Sequence, residues 1–88
     1  MEEAWAGHSL LAFDGRVLEV FGFPGSQSVR FHARNMELDI GEPDRKGTRL
    51  VTLKAAVRGA GGIALSVDEA DWPHVGPLLD RVLAAMPG

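Results

Sequence analysis

The sequence predicts an α+β domain in which an antiparallel β-sheet of about five to seven strands is followed by one C-terminal amphipathic helix. Three observations support this class. Residues 8–67 contain short apolar runs, several of them alternating with polar residues, between glycine-containing turns, which is typical of antiparallel strands. Residues 74–86 instead carry apolar side chains every three or four positions, the period of a helix. A chain of 88 residues provides one domain, 1–88, with one modest core.

The first two predicted strands flank Asp14-Gly15. Residues 10–13 and 16–21 are rich in aliphatic and aromatic side chains, and Asp-Gly between such runs predicts a hairpin with a type I′ turn. Residues 22–26 include two glycines and a proline, which predicts a loop. Residues 1–7, which precede this hairpin, are predicted to be an N-terminal tail.

The apolar alternation changes parity near Asn35. Apolar residues occupy odd positions from 29 to 33 and even positions from 36 to 40. A tight hairpin turn at Arg34-Asn35 would explain this change and would place Arg30 opposite Asp39. A short helical turn or a bulge that shifts the apolar face would also explain it. The tight hairpin is the less favoured of the two, because Arg-Asn is a poor pair for a type I′ turn. The sequence leaves both structures open.

The remaining strands and the helix follow in order. Residues 41–47 (GEPDRKG) predict an exposed loop, and residues 50–57 and 63–67 predict a second hairpin with its turn at 58–62. Because Pro77 fits a helix best within the first turn, we expect the helix to begin near His74 or Val75, after a separate turn at 68–71. Acidic residues around Glu69 and Asp71 are expected to cap this helix. The predicted regions are therefore a tail (1–7), a sheet (8–67) and a helix (74–86).

The order of these elements resembles that of small bacterial, actinobacterial pleckstrin-homology-like domains, in which a bent sheet or partly open barrel is plugged at one end by the C-terminal helix. The segments FDG (13–15), VLEV (17–20) and VRFHARNMELDI (29–40) look like the strand and short-turn run of these proteins. The resemblance implies a brief helical turn at 33–35. The chain departs from the eukaryotic lipid-binding branch, whose first hairpin loop carries several basic residues, because that loop here is Asp14-Gly15-Arg16.

Composition excludes several classes of function. The chain has no cysteine, so disulfides, thiolate metal sites and a cysteine nucleophile are ruled out. A net charge of -3 disfavours nucleic acid as a partner. The acidic N-terminus does not resemble a signal peptide and no apolar run is long enough to span a bilayer, so we expect a cytoplasmic protein that is not an integral membrane protein. His8, His32 and His74 share no metal-ligand spacing, and we expect no cofactor, metal site or enzymatic activity.

Two groups of residues remain as candidate binding sites. The basic residues Arg30, Arg45, Lys46 and Arg49 could bind an anionic lipid headgroup or a small anionic ligand. The alternative is that these residues, together with His32 and Arg34, pair with nearby acids and leave a nearly neutral surface; the acids are Glu37, Asp39, Glu42 and Asp44. The large apolar residues Trp5, Phe23 and Trp72 are candidates for an interaction surface.

The sequence therefore favours a non-enzymatic protein-interaction or self-assembly module, whose partner is another protein or a second copy of the chain. Binding of an anionic headgroup or small ligand is the alternative.

Overall fold

Seven antiparallel strands and one helix form from residues 1–22, 28–56 and 62–87, which are the residues described by the computed structural model. A short 3₁₀ turn, Ala33–Asn35, lies between the fourth and fifth strands. The strands are β1 (Glu2–Ala6), β2 (Ser9–Phe13), β3 (Val17–Phe21), β4 (Val29–His32), β5 (Met36–Ile40), β6 (Arg49–Ala55) and β7 (Gly62–Val67), and the helix is α1 (Trp72–Ala85). The predicted α+β class, with antiparallel strands before a C-terminal helix, is confirmed.

The strands form two sheets. Sheet A has the order β1-β2-β3-β4 and sheet B has the order β5-β6-β7, so every hydrogen-bonded neighbour is also the next strand in the chain. Within the described residues the two sheets do not close into a barrel. This nearest-neighbour topology follows from the short connections, because antiparallel strands can be joined by tight turns without a crossover.

The prediction of a tail at residues 1–7 is wrong. Residues Glu2–Ala6 form β1, which pairs with β2 in a register that places Trp5 opposite Leu10. Ala4 and Ala6 point inward and are buried, and α1 packs against this strand. Strands are recognised in a sequence by large apolar residues at alternate positions, and β1 has alanines at its inward positions instead. These alanines lie under α1, which leaves room only for small side chains.

The first predicted hairpin is present, as β2 and β3, but its turn differs from the predicted type. Gly15 has a φ of +100°, whereas no residue other than glycine has a positive φ in the described part of the chain. Phe13 pairs with Leu18, and the Asp14 N–H donates to the Val17 carbonyl, so the two loop residues are Gly15 and Arg16. Glycine at the first of two loop positions is the type II′ arrangement rather than type I′.

The change of parity at Asn35 comes from the 3₁₀ turn, and the tight hairpin at Arg34-Asn35 does not form. His32 ends β4 in sheet A and Met36 begins β5 in sheet B, so the turn carries the chain from one sheet to the other. Ala33 within the turn is buried. The second predicted hairpin is confirmed as β6 and β7, with Leu53 opposite Ile63, and its predicted strand end at Val57 and most of its turn lie outside the described residues.

The helix begins earlier than predicted, at Trp72, after the expected turn at 68–71. Pro77 lies inside the helix rather than in its first turn. Its missing N–H leaves the Pro73 carbonyl without an intrahelical partner, and both prolines are exposed, so water can solvate this carbonyl.

The expectation that acidic side chains cap α1 is wrong. Asp71 occupies the N-cap position without a side-chain capping bond, and the first turn contains no acidic residue. The Asp71 carboxylate instead accepts a hydrogen bond of 3.0 Å from the Gly7 N–H, in the turn between β1 and β2. Asp71 therefore links the first hairpin of the chain to the start of its last element.

One core joins both sheets and the helix. The most deeply buried large side chains come from β2, β3, β6, β7 and α1, and they are Leu11, Leu18, Val20, Val51, Leu53, Val67, Val75, Leu78, Leu79 and Val82. In α1 the predicted stripe is buried at Val75, Leu78, Leu79 and Val82, whereas Leu83 is 42% exposed. The side chains on the inner faces of the sheets thus pack in this core, and the outer faces are available for contact with other molecules.

Candidate interaction surfaces

An apolar row crosses the outer face of sheet A. Trp5 on β1 lies directly opposite Leu10 on β2, which lies directly opposite Phe21 on β3. Residues paired in this way project to the same face of a sheet, so the three side chains are neighbours. Trp5 is 58% exposed and Phe21 is 38% exposed, whereas Leu10 between them is half-buried. We call these three residues the apolar row.

A polar row lies beside the apolar row on the same face. Glu3, Ala12, Glu19 and Arg30 are aligned across the four strands by their register. Arg30 Nε donates to Glu19 Oε2 at 3.0 Å, and Ser28 Oγ donates to the same oxygen at 2.6 Å. The Ser28 hydroxyl and then the Arg30 guanidinium hold the pKa of the Glu19 carboxyl below its ordinary value. Glu19 and Arg30 thus form a neutral pair at the edge of the apolar row, and Glu3 contributes an unbalanced negative charge.

The outer face of sheet B is different in character. It carries the cross-strand pairs Glu37–Lys54 and Asp39–Thr52, followed by small residues on β7. Leu50, which is 53% exposed, is the one large apolar side chain among the outward positions described on this sheet. An isolated exposed leucine is common on protein surfaces, whereas three aligned apolar residues form a patch. Of the two sheets, sheet A is therefore the better candidate for an interaction surface.

Trp72 lies in a separate surface depression between the β5–β6 loop and the start of α1. The guanidinium of Arg49 stacks over its ring, with Cζ 4.8 Å from the ring centroid, and this cation–π contact occupies one face of the indole. Arg45, Asp44 and Glu69 also line this depression, which has a volume of about 500 Å³. Two arginines and two carboxylates leave it with no formal net charge, so its attraction for an anion is small.

The β5–β6 loop that forms one wall of this depression is exposed, as predicted, and Asp44 organises it. Asp44 Oδ1 accepts hydrogen bonds from the backbone N–H groups of Lys46, at 2.8 Å, and Thr48, at 2.9 Å. The Asp44 carboxylate therefore binds backbone donors rather than a basic side chain. Lys46 contributes its backbone to this turn and does not line the depression.

The predicted set of anion ligands is divided by the fold. Arg45 and Arg49 line the depression beside Trp72, whereas Arg30 lies on sheet A and pairs with Glu19 instead of the predicted acids that follow the 3₁₀ turn. Of the predicted interaction residues, Trp5 joins the apolar row, Trp72 lies elsewhere, and Phe23 is outside the described residues. Leu10 and Phe21 are not among the predicted interaction residues. Phe21 was the available signal, because it is an apolar residue at an outward position of β3, where polar residues are usual.

Comparison with known protein families, curated proteins and solved structures found no match for this chain. The candidate surfaces therefore have to be judged on their own geometry. In residues 1–22, 28–56 and 62–87 there is no group of three or more metal-ligating side chains, and His8, His32 and His74 lie at separate exposed positions. No helix in the described part of the chain is long and apolar enough to cross a membrane.

Proposed function

We propose that this chain is a non-enzymatic protein-interaction module of the bacterial pleckstrin-homology-like type, and that it associates with a second copy of itself through the outer face of sheet A. The alignment of Trp5, Leu10 and Phe21 across three strands is the observation that carries the proposal. Two unclosed antiparallel sheets followed by one C-terminal helix support the fold assignment, together with the sequence segments that resemble that family.

Removal of the apolar row from water provides the driving force for association. A large aromatic side chain has 150–250 Å² of surface to bury, at roughly 25 cal/mol per Å². Trp5 retains more than half of its surface exposed in the isolated chain, so the gain from covering it is available to a partner. Tryptophan is also among the side chains enriched at the energetic centres of protein interfaces.

Charge complementarity favours a second copy as the partner. A two-fold axis that runs parallel to the strands, between β2 and β3, places β1 of one copy over β4 of the other. Leu10 then faces Phe21 across the interface, and Glu3 faces Arg30. Arg30 uses Nε to bind Glu19, and its other guanidinium N–H donors are available to the second copy's carboxylate. The same symmetry operation forms the Glu3–Arg30 contact twice, once at each edge of the face.

The size of the face predicts a weak dimer. Four strands spaced about 4.8 Å apart and about 17 Å long cover roughly 300 Å² of flat area. Standard stable interfaces bury about 800 Å² of accessible surface on each partner. We therefore expect association in the micromolar to millimolar range, with exchange between monomer and dimer.

Sedimentation equilibrium across this concentration range tests the proposal with a matched pair of variants. Trp5→Lys places a charge in the apolar row and should give a monomer at every concentration. Leu50→Lys places the same charge at a similarly exposed position on sheet B and should associate as the wild type does. A wild type that stays monomeric, or a Leu50→Lys variant that loses association equally, would overturn the proposal.

The charge pairing has its own test in the same experiment. Glu3→Lys places two cations opposite one another in the proposed dimer and should weaken association several-fold, and added salt should partly restore it. Glu42→Lys makes the same change of charge in the exposed β5–β6 loop and serves as its control. Equal weakening by both variants would show that net charge, not the Glu3–Arg30 contact, determines the effect.

A further inference from the structure

A depression lies where the β2–β3 loop, the 3₁₀ turn and the C-terminal end of α1 meet. Its volume is about 580 Å³. Three segments that are distant in the sequence supply its walls, which include Gly15, Arg16, His32, Arg34, Asn35 and Ala85. No carboxylate lines it, in contrast to the depression beside Trp72.

Hydrogen bonds fix the backbone around this depression. The Arg16 N–H donates to Asp14 Oδ1 at 2.8 Å, and the Arg16 carbonyl accepts a hydrogen bond of 2.8 Å from the Ala33 N–H. His32 precedes Ala33 and lies directly opposite Val17 in the β3–β4 register. The backbone positions that carry Arg16, His32 and Arg34 are therefore fixed relative to one another.

The basic side chains at this depression form no ion pair with an acidic side chain in the described structure. Arg16, His32 and Arg34 make no salt bridge and no side-chain hydrogen bond within residues 1–22, 28–56 and 62–87. Asp14, two residues before Arg16, is the acid closest to it in sequence. Its carboxylate accepts the backbone N–H groups of Val17 and Arg16, and these bonds lower its pKa more than the charge of Arg16 does. The site keeps a positive charge on a chain whose net charge is -3.

We propose that Arg16, His32, Arg34 and Asn35 form a binding site for a phosphate monoester group. Two guanidinium groups supply planar pairs of N–H donors that match phosphate oxygens, and the imidazole and carboxamide supply further donors. The site is a single compact cluster with no phenylalanine, tyrosine or tryptophan among its lining residues, which suits one phosphate group rather than a nucleic acid strand. None of its lining residues belongs to the apolar row, although His32 projects to the same outer face of sheet A as Arg30.

A purely structural role for the two arginines makes a different prediction. Ala85 lies at the C-terminal end of α1, where the helix carries a partial negative charge, and the last turn of α1 contains no basic residue. Arginines that only compensate this charge would stabilise the folded chain without binding phosphate. Their substitution would then lower stability and leave the response to phosphate unchanged.

Titration of the ¹⁵N-labelled protein with glycerol 3-phosphate, followed by amide NMR spectra, tests the proposal. We expect saturable shifts of the amide signals of Arg16, Ala33, Arg34 and Asn35. Arg34→Gln should weaken this binding about tenfold or more, because a charge-assisted contact is lost. Arg45→Gln, which removes the same charge from the depression beside Trp72, should bind as the wild type does. The spectra also report whether each variant is folded.

Three results would overturn the proposal: no saturable shift at these amides, unchanged binding by Arg34→Gln, or an equal loss with Arg45→Gln. Vesicles distinguish the source of the phosphate group. Sedimentation with phosphatidic acid vesicles, and not with phosphatidylcholine vesicles, would identify a lipid headgroup. Binding of glycerol 3-phosphate without sedimentation would identify a small phosphorylated molecule, and both results support the same site chemistry.

Discussion

Asp14 illustrates how one exposed side chain can determine a turn. Its Oδ1 accepts hydrogen bonds of 2.8 Å from the N–H groups of both Arg16 and Val17, so it satisfies two donors that the two-residue loop leaves unpaired. These backbone hydrogen bonds, that from Val17 first, lower the pKa of the Asp14 carboxyl from its ordinary value of 3.8. The charged form is therefore favoured by folding.

The lowered pKa predicts a pH dependence of stability. Because the folded pKa lies below the unfolded one, the contribution of Asp14 is fully present above pH 3.8 and is lost as the pH falls through the folded value. Asp14→Asn keeps an oxygen acceptor but removes the charge. We expect the wild type to be the more stable at neutral pH, and the difference between the two free energies of unfolding to shrink as the pH falls below 3.8. Urea unfolding of both proteins at a series of pH values measures this difference in stability. A difference that does not change with pH would contradict the prediction.

At the scale of single elements, α1 shows which part of its apolar stripe stabilises the fold. Leu79 is fully buried in the core, whereas Leu83, one turn later in the same helix, is 42% exposed. Leu79→Ala removes buried methyl groups and leaves a cavity, so it should lower the free energy of unfolding by about 2 to 5 kcal/mol. Leu83→Ala makes the same chemical change and should cost less than about 1 kcal/mol. Urea unfolding of both variants measures these changes. Equal decreases in the free energy of unfolding would contradict the assignment.

The elements that were predicted correctly are those encoded by neighbouring residues. The β2–β3 and β6–β7 hairpins and the helix follow from local alternation, turn residues and helical period, all of which can be read within about ten to fifteen residues. β1 could not be predicted because its inward residues are alanines. Their small size reflects packing against α1, which is distant in the sequence. The predicted start of α1 was too late because Pro77 was expected in the first turn. In the structure Pro77 lies inside the helix, on its solvent-exposed side.

The candidate surfaces could be predicted only in part, since each depends on register or on long-range packing. The sequence predicts Trp5 as a candidate interaction residue, but its alignment with Leu10 and Phe21 requires the pairing of three strands. Likewise, Arg16 and Arg34 are brought together by the hydrogen bond between Arg16 and Ala33. Sequence patterns report which residues are polar or apolar, and they do not report which of them meet across a sheet.

For the whole molecule, the contrast between the two outer faces predicts how its two tryptophans respond to concentration. Trp5 lies in the proposed contact, whereas Trp72 lies under Arg49 away from it. In a Trp72→Phe variant, the emission of Trp5 should move to shorter wavelength and iodide quenching should decrease as the concentration rises, because association removes the indole from water. In a Trp5→Phe variant, the emission of Trp72 should stay constant. Equal changes in both variants, or none in either, would contradict this arrangement.

The contact between β1 and α1 also affects how the chain folds as it is made. The Gly7–Asp71 hydrogen bond and the Glu2–Arg81 ion pair join residues that a ribosome produces far apart in time. At about 5 to 20 residues per second, α1 emerges several seconds after β1. During that interval the inner side of the first hairpin has no helix to cover it, so we expect this hairpin to reach its native packing only after α1 has been made.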